Sequence, residues 1–329
     1  MGLRDFLPEN FLLATGADMC PLKGNSVFQN LISENFNAIT LTNNFKRREV
    51  CPDLNTYRWE PIDWMVDFCH RHNITLRGHG LIHRLDRSFY LETLEQPEIE
   101  SHLKNYIRES LTRYRGLIPF YDVAIELIND EGKLGENFWK KHLGANYAGK
   151  IFAWAHEADP DALLFYSDYK LHEDVKQAAV FRLINSIRDE GIPVHGLAIQ
   201  LHHNLTGAYK LLWLKRLIRA CHRENLIPHV SEVTLWANPQ IPYDAAEIVQ
   251  SFVYEKVLDT CLAEGVGFLG VWSCCDRFVW RHPEKRPGWW DEDYQPKEAA
   301  RKIESLLKNH PKSIAKNEPA STLVRTLSQ

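Results

Sequence analysis

Two glutamates hold corresponding places in this chain. Glu126 closes the run from Tyr121 to Ile125, and Glu232 follows the apolar run from Leu226 to Val230 by two residues. Both runs read as short buried strands, with the carboxylate at the strand's C-terminal end. Two carboxylates facing each other across a cleft suit the cleavage of a glycosidic bond. One donates a proton to the leaving oxygen while the other attacks the anomeric carbon or activates water. The donor has to stay protonated near neutral pH, which burial or a nearby like charge brings about. A lone glutamate at a strand end is more often an ion-pair partner for Lys or Arg, so the chemistry rests on the pair.

The elements that must position them follow from the spacing of apolar residues. Strand patterns fall at Phe11–Ala17, Phe36–Leu41, Ile74–His79, Tyr121–Glu126, Ala162–Tyr166, Val194–Gln200, the Glu232 stretch and Phe268–Trp272. Helical patterns fall between and after them, at Ser26–Asn35, Pro61–His70, Pro97–Arg115, Asn137–Ala158, Glu173–Arg188, Tyr209–Arg223, Tyr243–Ala263 and Pro296–Leu307. In the first helix the apolar positions are Val27, Leu31 and Ile32. Eight strands alternating with eight helices select a closed parallel (β/α)8 TIM barrel over an open sheet. Reactive groups in such a barrel gather at the C-terminal strand ends. Besides the two glutamates, those ends offer Asn43, Lys46, Arg77, His79, Asn129, Asp130, Gln200, His202, Trp272, Asp276 and Trp280. That is a polar ring with flat aromatic walls.

Composition narrows the partners. The chain has 329 residues, enough for one large barrel, and 39 Lys and Arg stand against 43 Asp and Glu. A net charge of -4 argues against nucleic acid, which calls for a basic face. The longest apolar stretches are far short of a membrane span. The first ten residues contain no apolar signal core, and the seven cysteines are an odd count without C-x-x-C spacing. A cytoplasmic protein with reduced thiols is the simplest expectation, a secreted protein with its leader removed the alternative. One catalytic domain is expected over residues 1–308, with residues 309–329 as a polar, loosely ordered tail.

The ordered blocks of this chain resemble family-ten glycoside hydrolases, the retaining β-1,4-xylanases with (β/α)8 barrels. The resemblance runs from about Phe11 to Leu307. Phe36 to Thr40 with Asn43 and Lys46 resembles the family's second strand. Arg77-Gly78-His79 resembles its Arg-Gly-His, and Tyr121 to Glu126 with Asn129 to Gly132 the stretch bearing the acid/base. Asp168-Tyr169, the segment from Gly196 through Gln200 to His202, Ser231-Glu232, and Val271-Trp272 with Asp276, Trp280 and residues 291–297 resemble the later blocks. The resemblance implies Glu126 as acid/base and Glu232 as nucleophile. It implies that His202 hydrogen-bonds the nucleophile and that Asn43, Lys46, His79 and Gln200 hold the glycone. Trp272 and Trp280 would stack on sugar faces. It implies no metal and no cofactor, and a β-linked oligo- or polysaccharide as the partner.

Several positions depart from the family pattern. The family's Asn before the acid/base is Ile125, which cannot bond a sugar 2-hydroxyl, a contact that strengthens in the transition state. Its Trp-His pair after the Arg-Gly-His block is His83-Arg84, here assigned to sugar or acidic-substituent contacts. Thr42 and Arg47 stand for its strand-two Glu and Trp, and Ser167 for the Asn of its Asn-Asp-Tyr motif. Thr234 replaces an Asp two residues past the nucleophile, which takes a charge partner from His202. Two alternatives stay open beside xylan hydrolysis. One is a non-catalytic or weakly active sugar-binding barrel, favoured by Ile125 and Thr234. The other is a glycosidase or transglycosylase for another β-linked glycan. A metal site on His79, His83 and His202 is a weaker third reading, because the first two lie on a strand and loop rather than a helix face.

Overall fold

The computed structural model describes residues 1–54, 56–86, 89–205 and 211–310. Its strands are β1 (Leu12–Ala17), β2 (Ala38–Leu41), β3 (Thr75–His83), β4 (Phe120–Ile125), β5 (Leu163–Asp168), β6 (Gly196–Asn204), β7 (Ile227–Trp236) and β8 (Phe268–Val271). They hydrogen-bond in chain order and the order closes on itself, giving the expected barrel. β2, β4, β5 and β8 are buried at every position. Parallel strands covered on both faces read in this way as unbroken apolar runs.

The principal helices are α1 (Ser26–Asn35), α2 (Glu60–His72), α3 (Gln96–Arg113), α4 (Tyr147–Ala158), α5 (Asp174–Asp189), α6 (Leu212–Arg223), α7 (Tyr243–Ala263) and α8 (Glu298–Asn309). Local chemistry fixes several starts. The Asn25 side chain accepts the Phe28 N–H ahead of α1, and the Glu98 side chain reaches back to the Glu95 N–H ahead of α3. Three expectations need correction. Val27 is exposed, and Phe28 takes the core position beside Leu31 and Ile32. The helix expected over Asn137–Ala158 is two, Phe138–Leu143 and α4, because Gly144 adopts φ +86 and ends the first. β3 and β6 run on to His83 and Asn204, past their expected ends at His79 and Gln200. Tyr209, the expected start of α6, and tail residues 311–329 lie outside the described residues.

Contacts divide the chain into two compact units. One holds Met1–Ile39, His72–Ile74 and the chain from Ile199 onward, the other Thr40–Arg71 and Thr75–Ala198. The second unit contains β3, β4 and β5, and their register slips twice. Between His79 and Ile82, β3 takes three steps while β4 takes two, from Asp122 to Ala124. The extra residue falls at Gly80, whose φ of +86 suits glycine alone among the residues of that strand. β4 in turn takes two steps, Asp122 to Ala124, against one on β5. In the first unit β7 takes three steps from Val230 to Val233 against two on β8. Each candidate glutamate therefore lies at or just beyond an irregularity in its strand. Such bulges re-aim side chains.

Candidate active site

In the second unit, Glu126 is the first residue after β4 and has φ +60. Left-handed backbone at a non-glycine residue costs about 1–3 kcal/mol and persists only where the surroundings enforce it. Here they do. The Glu126 N–H donates to the Ser167 carbonyl at 2.9 Å. The next two N–H groups, of Leu127 and Ile128, donate to the Tyr166 hydroxyl at 2.9 and 3.2 Å. Tyr166 donates in turn to Asp168 Oδ2 at 2.6 Å, and Lys176 Nζ lies 2.9 Å from Asp168 Oδ1. Tyr166 was not among the residues singled out from the sequence, and its type alone gave no signal of this role.

Two side chains converge on the Glu126 carboxylate. Arg84 Nε donates to Oε2 at 3.1 Å, and His83 Nε2 lies 3.4 Å from the same oxygen. The Gly80 bulge places them there, pairing His83 with Ile125 across the strands and letting the Arg84 N–H donate to the Ile125 carbonyl. The Leu85 N–H donates to His83 Nδ1 at 3.0 Å, which leaves Nε2 to carry the hydrogen that faces Glu126. Burial alone would raise the Glu126 carboxyl, as a proton donor needs. The contacts with His83, then those with Arg84, outweigh burial and hold it at about 2. The expectation that burial keeps this acid protonated is thus overturned, and His83 and Arg84 are engaged by Glu126.

The polar residues of β3 and β4 that precede Glu126 form a buried set. Arg77 Nε donates to Asp122 Oδ2 at 3.0 Å, and His79 Nδ1 lies 2.8 Å from that oxygen. Burial raises the Asp122 carboxyl, but the Arg77 charge and the His79 and Arg77 hydrogen bonds bring it well below the usual carboxylate range. Asn43 and Lys46 follow β2, and Lys46 Nζ donates to Asn43 Oδ1 at 3.0 Å. Arg47, in place of the family's Trp, is buried and grips both oxygens of Asp86, at 2.8 and 2.9 Å. Ile125 is buried.

In the first unit, Glu232 is buried in the middle of β7. The strand continues to Trp236, a correction to the expectation that Glu232 is its tip. Residues 232, 234 and 236 share one face of the strand, and His202 of β6 meets all three. Its Nε2 lies 3.3 Å from Glu232 Oε2 and its Nδ1 3.0 Å from Thr234 Oγ1. Its ring lies 6.1 Å from that of Trp236 and 5.3 Å from that of Trp280. A neutral His202 that donates from Nε2 to Glu232 leaves Nδ1 to accept from the Thr234 hydroxyl. Thr234 therefore keeps a hydrogen bond to this histidine where the family has a charge. Gln200 is buried on β6 and Trp272 is buried just beyond β8, whereas Trp280 is half exposed. Trp236 was missed in the sequence, although its period-two spacing from Glu232 was the available signal.

The segment from Asp276 to Tyr294 divides in two. Trp289 and Trp290 are buried, and the backbone N–H groups of both donate to the Cys274 carbonyl. Asp276 is held by Lys297 at 2.8 Å and by the Gly288 N–H at 2.7 Å. Trp280 is the residue of this segment that stands out to solvent beside His202. Among the described residues no group of three His, Cys, Asp or Glu is placed to hold a metal ion, and no helix is long and apolar enough to cross a membrane.

Residues 2–306 match the sequence profile of glycosyl hydrolase family 10. The chain belongs to this family. Among its relatives, the endo-1,4-beta-xylanase B of Paenibacillus barcinonensis is 30% identical over 292 residues, 82% of this chain and 88% of that protein. The beta-1,4-xylanase of Dictyoglomus thermophilum is 28% identical over 293 residues, 83% of this chain and 82% of that protein. Among solved structures, xylanase 10B of Thermotoga petrophila, in complex with xylobiose, superposes with a TM-score of 0.87. It is 24% identical and covers 94% of this chain and 97% of its own. The fold is therefore that of the family-10 barrels.

Proposed function

We propose that this family-10 protein is a retaining β-glycosidase of xylan chains, with Glu232 as nucleophile and Glu126 as acid/base. The observation that carries the proposal is the Glu232–His202–Thr234 set. A buried carboxylate is oriented by a histidine whose other nitrogen is fixed by a hydroxyl, which holds a nucleophile in one position. Relatives that cover most of both chains and are named xylanases support the β-1,4-xylan substrate. A Glu232 oxygen bonds the anomeric carbon while the glycosidic C–O bond breaks and the leaving oxygen takes the Glu126 proton. Water then gives a proton of its own to Glu126 and displaces Glu232 from the opposite face, the one the leaving group vacated, so the β configuration is restored.

The Arg84 and His83 contacts favour a second reading, a sugar-binding barrel with weak hydrolysis. They stabilise the carboxylate of Glu126, the form that cannot donate, and Ile125 adds no bond to the sugar. Leaving groups separate the two readings. An aryl β-xylobioside with a good leaving group needs little protonation, whereas xylotriose needs a full proton transfer. The wild type is expected to hydrolyse the aryl glycoside, releasing the β-anomer first by NMR, and Glu232→Ala to lose about a thousandfold or more. A first product with the α configuration, or a Glu232→Ala rate equal to wild type, overturns the assignment. Binding of xylobiose without turnover of either substrate establishes the second reading.

A further inference from the structure

Next to Glu126, and within the second unit, lies a pocket of about 220 Å³ lined by Lys46, Arg48, Gly80, His83, Leu85 and Asp86. Its volume is below the ~300–1,000 Å³ of sites for drug-sized ligands, so it suits a single sugar unit or side group. The Gly80 bulge makes the space. A Cβ at that position would come within 3.1 Å of Lys46 Cγ.

The polar groups around this space are donors. Lys46 ends in an ammonium group and Arg48 in a guanidinium, and neither side chain has an acceptor atom. His83 has its Nδ1 occupied by the Leu85 N–H and turns its Nε2 donor to Glu126, so it offers the pocket no acceptor. Asp86 is the acidic group of the lining, and the buried Arg47 guanidinium takes both of its oxygens. Arg48 pairs with Glu49 at 3.4 Å, but both side chains are about half exposed, and such surface pairs contribute little. A neutral sugar hydroxyl brought here would have to place its own hydrogen among donors. A carboxylate accepts from Lys46 and Arg48, and charge-assisted hydrogen bonds are about twice as strong as neutral ones.

We propose that this pocket takes the carboxylate of a uronic acid unit carried on the β-linked chain, so that the protein prefers an acidic xylan to a neutral one. The inference rests on the glycan-binding reading above and specifies its substrate class. It also gives the departure at Arg47 a purpose. Arg47 neutralises the acid that would repel the ligand.

The test is calorimetry on the full chain carrying Glu232→Gln, which reads binding without turnover. The ligands are a xylo-oligosaccharide bearing one glucuronic acid branch and the unbranched oligosaccharide of equal backbone length. The branched ligand is expected to bind about tenfold tighter at low salt, with the advantage shrinking at high salt. Adding Arg48→Ala, at an exposed side chain outside the core, should remove the advantage, and Arg48→Lys should retain most of it. Equal affinity for the two ligands, or an advantage that survives Arg48→Ala, overturns the acidic-substrate inference and leaves the glycan reading standing. Failure of both ligands to bind overturns both.

Discussion

A carboxyl held at about 2 is protonated in roughly one molecule in 10⁵ at pH 7, too few for a general acid that works best with its pKa near the ambient pH. The same contacts are useful to the fold. A drop from 4.5 to about 2 in a side chain that is only 17% exposed corresponds to roughly 3 kcal/mol, comparable to the strain of its left-handed backbone. Because the folded carboxyl is depressed, that stabilisation is present above about pH 4.5 and is lost as the pH falls toward 2. Arg84→Gln should therefore exchange some stability for acidity. The alkaline limb of kcat/KM on xylotriose should move to higher pH, with a gain of about tenfold at pH 7. An unmoved limb would mean that Arg84 has already left Glu126 when substrate is bound. The sequence showed both glutamates and showed His83 and Arg84 as departures from the family. It did not show that they meet, because the meeting depends on one extra residue in β3.

That extra residue is Gly80. From the sequence, a glycine after His79 reads as the end of a strand. In the structure the strand passes through it with φ +86 and continues to His83. The other strand misjudged in its bearing on the site is β7, where the polar step at Ser231-Glu232 looked like an end and is a bulge within ten paired residues. Helices were more legible. α7 begins and ends as its periodicity predicts, and α1 likewise, since caps and apolar spacing are local and a bulge depends on the neighbouring strand's register. Gly80→Ala should cost about 1–3 kcal/mol, from positive φ and from the 3.1 Å approach to Lys46 Cγ, seen as a lower urea midpoint at unchanged slope. If its stability equals wild type, the bulge does not need glycine, and the account of how His83 and Arg84 reach Glu126 fails with it.

Over the whole molecule, eight strand patterns alternating with eight helix patterns were sufficient to predict the barrel, because burial on both faces leaves a long-range signature in composition. Ionisation states were not legible in this way, since each depends on what surrounds a buried group, and two such groups oppose each other in the pH dependence of folding. Glu126 is depressed and favours the folded state as pH rises. Asp168 is raised to about 6, because burial outweighs Lys176 and the Tyr166 and Tyr169 hydrogen bonds. A raised carboxyl stabilises the fold below its unfolded value and loses that contribution as pH climbs through the folded one. Between about pH 3.8 and 6, Asp168 should therefore remove roughly 3 kcal/mol as it ionises. Asp168→Asn takes from Lys176 the nearer of its two carboxylates and should be less stable at every pH, so the readout is the slope and not the level. A plot of unfolding free energy against pH should fall between pH 4 and 6 for wild type and be flatter there for Asp168→Asn. Equal slopes would place the Asp168 carboxyl at an ordinary value, with Lys176 outweighing burial. The network beneath the Glu126 turn would then be an ion pair at every pH at which the enzyme is folded.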